Sequence, residues 1–205
     1  MSNGATNSAA LAAGGRGNPR ASGYARADAD WYREPAWLVD ALLDVEHFTG
    51  GVLDPACGGG TIPARCLARG MLAIGTDIVD RGFGERQNFF ERKSPVDNII
   101  CNPPFNRAQK FVEHALSLTR RKVAIVQRLA FLEGQERRHM WEATPLARIW
   151  VSSKRACMPP GVGFASGERD RWGALKVQEG RGGAIAYAWF VWDHSHVGPA
   201  TVGWV

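Results

Sequence analysis

The residues best suited to chemistry fall in two short clusters. One is ICNPPFN, Ile100 to Asn106. The residues before it, Val96 to Cys101, have the β-branched and apolar content of a buried strand. Pro103 and Pro104 cannot donate to a sheet ladder or continue into a helix, so the strand stops at Asn102. What remains is a stiff extended turn with φ set at two positions, presenting the Asn102 amide and the Phe105 ring at a strand end. Such a turn either ends a strand and nothing more, or holds a planar polar substrate.

The other cluster is VLDPACGGGTIPARCLARG, which places Asp54 at a strand end, then Gly58, Gly59 and Gly60, then a helix. Glycines let backbone N–H groups approach a ligand closely, and a carboxylate accepts hydrogen bonds or pairs with an ammonium. A phosphate reading is weak. No Lys-Ser/Thr follows the glycines, Asp54 and Pro55 interrupt the dinucleotide pattern, and Asp54 would repel a pyrophosphate. The next strand ends at Asp77, where an open α/β fold often binds a ribose diol. S-adenosylmethionine carries a ribose, an α-ammonium and a sulfonium, and so suits both acids. Read singly, the glycines are a tight turn and Asp77 a helix cap; in this order and spacing the cofactor reading is favoured.

The elements that must position these clusters alternate between strand and helix. Glu34-Pro35 opens a helix through Leu43; Gly51 to Asp54 is a short strand; Ile62 to Ala68 is a helix stopped by Gly70; Met71 to Asp77 is the second strand. A weak helix is expected over Glu85 to Glu91, a strand over Val96 to Cys101, a helix over Arg107 to Leu118 and a strand over Lys122 to Gln127. A basic amphipathic helix is expected over Gly134 to Glu142, then strands near Ala147 to Val151, Ala184 to Trp192 and Thr201 to Val205. This is an α/β pattern, a mostly parallel sheet with helices on both faces and an antiparallel C-terminal edge. Ligands bind at the carboxyl ends of such strands, so the two turns should converge on one crevice.

The chain has 205 residues, 45% of them apolar, and 8 tryptophans, enough for one sizeable core and short for two. Met1 to about Ala27 carries almost no large apolar side chains and reads as a disordered arm. Its Arg16, Arg20 and Arg26 suit a solubilising tail better than a phosphate contact. Residues 28–205 form the single domain. The 25 Lys and Arg exceed the 20 Asp and Glu, a net charge of +5 that makes a polyanionic partner plausible without demanding it. Cys57, Cys66, Cys101 and Cys157 show no C-x-x-C pair and no histidine at zinc spacing, so they read as reduced thiols and no metal is expected. No signal peptide or long apolar span is visible, which points to a cytoplasmic protein without a membrane partner.

The segments DPACGGG (Asp54, Pro55, Ala56, Cys57, Gly58, Gly59, Gly60), GTDI (Gly75 to Ile78) and NPPF (Asn102 to Phe105) resemble the amino-methylating DNA methyltransferases. The similarity is to the small adenine-N6 enzymes of phages and prophages, over about Asp30 to Val205. It implies a Rossmann-like class I S-adenosylmethionine-dependent methyltransferase in a bacterial or phage-infected cell, with DNA as partner and a monomer favoured. DWYREPAWLVDALL looks like the family segment that closes over the methionine end of the cofactor, with Tyr32 and Pro35 as contacts; Glu34-Pro35 stands where the family commonly has Thr-Pro. QNFFE lies where the family receives the cofactor adenine, which implies roles for Asn88 and Phe89, and Asp77 and Ile78 follow from GTDI.

The resemblance also implies a mechanism. The N6 lone pair of adenine is delocalised into the ring. The Asn102 side-chain oxygen and the Pro103 carbonyl each accept one N6–H and turn that pair towards the methyl group, Pro104 stiffens the turn, and Phe105 stacks on a base flipped from its helix. No general base or metal is then required. Between Ser152 and Gly183, Lys154, Arg155, Arg169, Arg171 and Trp172 are the candidate substrate-binding residues, a mobile surface loop being the equal alternative. This insertion of about 30 residues is short, implying short or loose sequence specificity. Arg137, Arg138 and His139 read as a solvated face, and His194 and His196 as surface residues. The alternatives are methylation of a protein glutamine amide, or of RNA adenine-N6 or cytosine-N4, and a non-catalytic nucleic-acid-binding module.

Overall fold

The structure, a computed structural model, describes residues 31–159, 169–175 and 183–205. The expected arm, and the parts of the Ser152 to Gly183 insertion at 160–168 and 176–182, lie outside the described residues. Eight strands form one sheet in the order β3-β2-β1-β4-β5-β7-β6-β8. They are β1 (Val52–Asp54), β2 (Ala73–Asp77), β3 (Glu85–Arg86), β4 (Val96–Cys101), β5 (Thr119–Arg128), β6 (Leu146–Val151), β7 (Tyr187–Asp193) and β8 (Thr201–Trp204). The first five run parallel; β7 is antiparallel to both β5 and β6, and β8 closes the edge parallel to β6.

The central strands are apolar where both faces are covered, as over Ile99 to Cys101 and Val123 to Val126. Side chains alternate between the faces of a strand. Ile99, Cys101, Val123, Ile125, Phe190 and Trp192 therefore face α3 (Ala108–Leu118) and the buried Phe131 and Met140. Ile100, Ala124, Val126, Trp189 and Val191 face α1 (Ala36–Val45) and α2 (Thr61–Ala68). Helices α1 and α2 are clamped together by Asp40, which meets Arg65 and Arg69, and by Asp44, which meets Arg69.

Two expected helices are corrected. Glu85 to Glu91 is not helical: Glu85–Arg86 pair in parallel with Thr76 and Asp77, and only Phe89–Glu91 form a short 3-10 turn. Gly84 at φ +72° runs so close to β2 that a Cβ there would lie 2.2 Å from the Gly75 carbonyl oxygen, and this approach lays the following residues along the strand. Over Gly134 to Glu142, a 3-10 turn at Gln135–Arg137 precedes the short α4 (Arg138–Ala143), because Arg137 folds back onto the carbonyls of Phe131 and Glu133. The strand expected from Ala184 starts at Tyr187. Among the described residues no helix is long and apolar enough to cross a membrane.

Candidate active site

Asp54 ends β1, Asp77 ends β2 and Asn102 follows β4; these three strands are parallel neighbours, so the three side chains share one edge of the sheet. The two turns predicted to converge do so. Cys57 N–H donates to the Thr76 carbonyl and Gly58 N–H to Asp77 Oδ2, both at 3.0 Å, which ties the glycine turn to the end of β2.

Two glycines of that turn adopt left-handed backbone, Gly58 at φ +50° and Gly60 at φ +89°. Gly60 caps α2, and a Cβ there would lie 2.3 Å from the Phe83 ring; one on Gly58 would lie 2.4 Å from Trp31 Nε1. The Gly59 carbonyl accepts from Leu175 N–H at 2.9 Å. Trp31, Phe83 and Leu175 therefore roof the turn. Above Trp31 the Arg81 guanidinium sits 3.8 Å from the ring centroid, and its Nε lies 3.9 Å from Asp77 Oδ1.

The segment before α1 bridges the two turns. While Trp31 rests on Gly58, the Tyr32 carbonyl and Glu34 Oε2 each accept from Asn102 Nδ2 at 2.9 Å. Both amide protons are thereby used, and Asn102 Oδ1 is left buried without a partner. The Tyr32 ring stacks on Phe105 at 5.5 Å and 12°, Tyr187 leans on the same ring at 6.0 Å, and the Arg128 guanidinium lies over it at 4.9 Å.

The acids share a dry environment. Burial pushes the Glu34 carboxyl above its usual range, opposed by hydrogen bonds from Asn102 and Thr61 and by the charge of Arg33. Asp54, 1% exposed, is pushed well above its usual range by burial and then by the charge of Glu34, with the Ala56 N–H opposing and Asp77 adding. Burial thus disfavours the ionised forms of Glu34 and Asp54, and Glu34 adds to the effect on Asp54, a cost that a cation beside them would relieve. The buried thiols of Cys57, Cys66 and Cys101 are all pushed up by burial, Cys66 to about 12, which leaves them protonated and without nucleophilic use. Among the described residues no group of His, Cys, Asp or Glu is arranged to hold a metal ion.

Other predicted residues sit in less direct positions. Pro35 is the buried cap of α1, and Pro55 and Ala56 form the turn after β1. Asn88 Oδ1 accepts from Phe90 N–H and its amide donates to Glu91, so its side chain is engaged in its own turn. Phe89 is a core residue packed on Phe111 and His114. Ile78 is 52% exposed just beyond β2. The Lys154 ammonium lies over the Trp37 ring, Arg155 donates to the Ala184 carbonyl, and Arg171 lies over the exposed Trp172. Arg169 reaches Gly82 and Gly173, beside the glycine turn rather than away from it. Sequence reasoning missed Trp31, Arg81, Phe83 and Leu175 and left the contact of Glu34 unassigned; the glycines requiring close cover were the one signal for the first four.

No family model matches the chain, and no curated protein matches it in sequence. Solved structures match it in shape. A proposed RNA methyltransferase from Pyrococcus horikoshii superposes with a TM-score of 0.50 at 17% identity, over 80% of this chain and 87% of that one. The modification subunit of a proposed type I restriction enzyme from Vibrio vulnificus YJ016 gives 0.53 at 16%, over 83% and 45%. TrmN from Thermus thermophilus gives 0.50 at 18%, over 77% and 48%. The chain thus spans less than half the length of the last two. Likeness at this level of identity speaks to architecture: the chain has the Rossmann-like fold of class I S-adenosylmethionine-dependent methyltransferases.

Proposed function

We propose that this chain is an S-adenosylmethionine-dependent methyltransferase acting on adenine N6 in DNA. The observation that carries the reading is Asn102 Oδ1, a buried acceptor with no protein partner, in a stiff turn beside the glycine turn and its acids. An unmet buried acceptor costs about 1–3 kcal/mol, which a ligand N–H recovers. Asn98, earlier on the same strand, also leaves its oxygen unmet, but it lies within β4 and away from the carboxyl end where such folds bind ligands.

The residues fit the cofactor in charge. Glu34 and Asp54 are buried carboxyls whose ionised forms an ammonium or a sulfonium beside them would favour, Asp77 ends the neighbouring strand, and the turn from Pro55 to Gly60 lies alongside. When bound, S-adenosylmethionine supplies a methyl group on a positive sulfur that departs neutral. Asn102 Oδ1 and the Pro103 carbonyl hold the two N6 protons, and Phe105, braced by Tyr32, stacks on the base for about 1–3 kcal/mol. Lys154, Arg155, Arg169, Arg171 and Trp172 position the phosphates.

The test is transfer of labelled methyl to DNA, followed by digestion and separation of the nucleosides, with RNA and a glutamine peptide in parallel. Label is expected in N6-methyladenine of DNA; label confined to RNA or peptide overturns the substrate. Asn102→Ala should remove turnover and leave the calorimetric affinity for S-adenosylmethionine within about threefold.

A further inference from the structure

We propose that Glu34 is a positioning residue that fixes the orientation of the Asn102 amide, an inference resting on the reading of Asn102 given above. An asparagine amide can turn by half a revolution and exchange its oxygen and nitrogen, with opposite consequences for the substrate. One orientation presents an acceptor to an amine; the other presents two donors and repels it.

Three observations fix the choice here. Asn102 Nδ2 lies 2.9 Å from two oxygens, the Tyr32 carbonyl and Glu34 Oε2, neither of which can donate when Glu34 is ionised. Turning the amide would set Oδ1 against both, replacing two hydrogen bonds by two repulsions. Glu34 is itself held, 7% exposed, with Thr61 at the start of α2 bonding its carboxyl and Pro35 opening α1 directly after it. Finally, the one atom of the amide left without a partner is Oδ1. When ionised, Glu34 also polarises the amide, which draws density towards Oδ1 and strengthens it as an acceptor for an incoming N–H.

Glu34 thus joins the cofactor side to the substrate side. It reaches Asn102 in the proline turn and Thr61 beyond the glycine turn, and its charge is felt by Asp54. It touches no reacting atom in this scheme.

The test uses the full chain with two kinds of readout. In turnover at saturating DNA and cofactor, Glu34→Leu is expected to lose about 100-fold, the scale of a mispositioned catalytic group. Glu34→Gln, which keeps an acceptor but not the charge, is expected to lose about fivefold. A rescue separates positioning from folding. Asn102→Asp alone faces the carboxylate of Glu34 with a second carboxylate and loses turnover; adding Glu34→Gln supplies the missing N–H donor and should restore it about tenfold. Full turnover in Glu34→Leu, or no rescue in the double variant, overturns the inference.

The second readout needs no activity. The side-chain amide signals of Asn102, assigned in an NMR spectrum by their loss in Asn102→Ala, should exchange with solvent about tenfold faster in Glu34→Leu than in the unsubstituted chain. Equal exchange overturns the inference even if the chain methylates something other than DNA. Absence of label in DNA with the unsubstituted chain defeats the functional reading alone.

Discussion

Helix α1 is flanked by two buried glutamates, Glu34 just before it and Glu46 at its C-cap, and the two have opposite characters. Glu46 is 5% exposed and Glu34 is 7% exposed, so accessible surface does not distinguish them. Depth of burial and partners do. Glu46 accepts from Lys122 Nζ at 2.8 Å, Trp150 Nε1 at 2.9 Å and the Arg148 guanidinium, and Asp193 joins both cations from β7. Burial raises its carboxyl, but the hydrogen bonds of Arg148, Lys122 and Trp150 outweigh this and hold it below the usual range. Glu34 meets an amide and a hydroxyl, and its carboxyl stays raised. One end of the helix is neutralised and serves the fold; the other keeps a carboxyl that Asn102, Thr61 and the charge of Arg33 compensate only in part, beside a partnerless acceptor, the pattern of a site prepared for a ligand.

The comparison breaks most decisively at Glu46. Glu46→Leu leaves Lys122 and Arg148 facing Asp193, with the His47 carbonyl still accepting from Lys122, and unfolding in urea should show a loss of about 3 kcal/mol, the low end for removing one partner of a buried pair because these partners remain. A loss under about 1 kcal/mol would mean that the cluster is no anchor.

The opposite sign is expected at Glu34. A carboxyl raised in the folded state burdens the fold only once it ionises: the burden is absent below the unfolded value and grows as pH rises through the folded one. Glu34→Gln keeps an acceptor and removes the charge, so it should stabilise the unliganded chain by about 1 kcal/mol at pH 8 and by almost nothing near pH 4. Equal stability at both pH values would show that Glu34 carries no such burden.

Glu46 and Asp193 run the other way. Both are held low, so their contribution is present above the usual carboxylate range and lost as pH falls through their depressed values. The unsubstituted chain should lose stability below about pH 4, and Glu46→Leu should show a shallower acid limb. Parallel limbs in the two proteins would assign the acid sensitivity to other groups.

Much of this architecture was legible in the sequence, and the reasons are local. Continuous apolar strands such as Val123 to Val126, the glycine turn and the double proline each determine structure within a few residues, and the parallel order then puts Asp54, Asp77 and Asn102 on one edge. What escaped depends on contacts between distant segments. Glu85–Arg86 pair with β2 where Gly84 closely approaches Gly75, and Asn102 and Glu34 are 68 residues apart with no periodicity to join them. Asn88 reads in the sequence as a polar residue free for a ligand, but its own turn claims the side chain, an Asx interaction as available to a loop as a ligand is.

The smallest expected effect sharpens what makes Glu46 an anchor. Arg138 and Glu142 on α4 meet at 2.7 Å, as close as Lys122 and Glu46, but with side chains 79% and 60% exposed against 19% and 2%. If distance governed, the two pairs would contribute alike. Water screens the exposed pair and its long side chains lose rotamer freedom in forming it, so Arg138→Ala should change the unfolding free energy by no more than about 0.5 kcal/mol. Raising the salt concentration should remove even that, while the loss on Glu46→Leu persists, since charges held in a dry site are little screened. An Arg138→Ala effect comparable to Glu46→Leu would mean that the contact, and not the exclusion of water around it, sets the strength of these pairs.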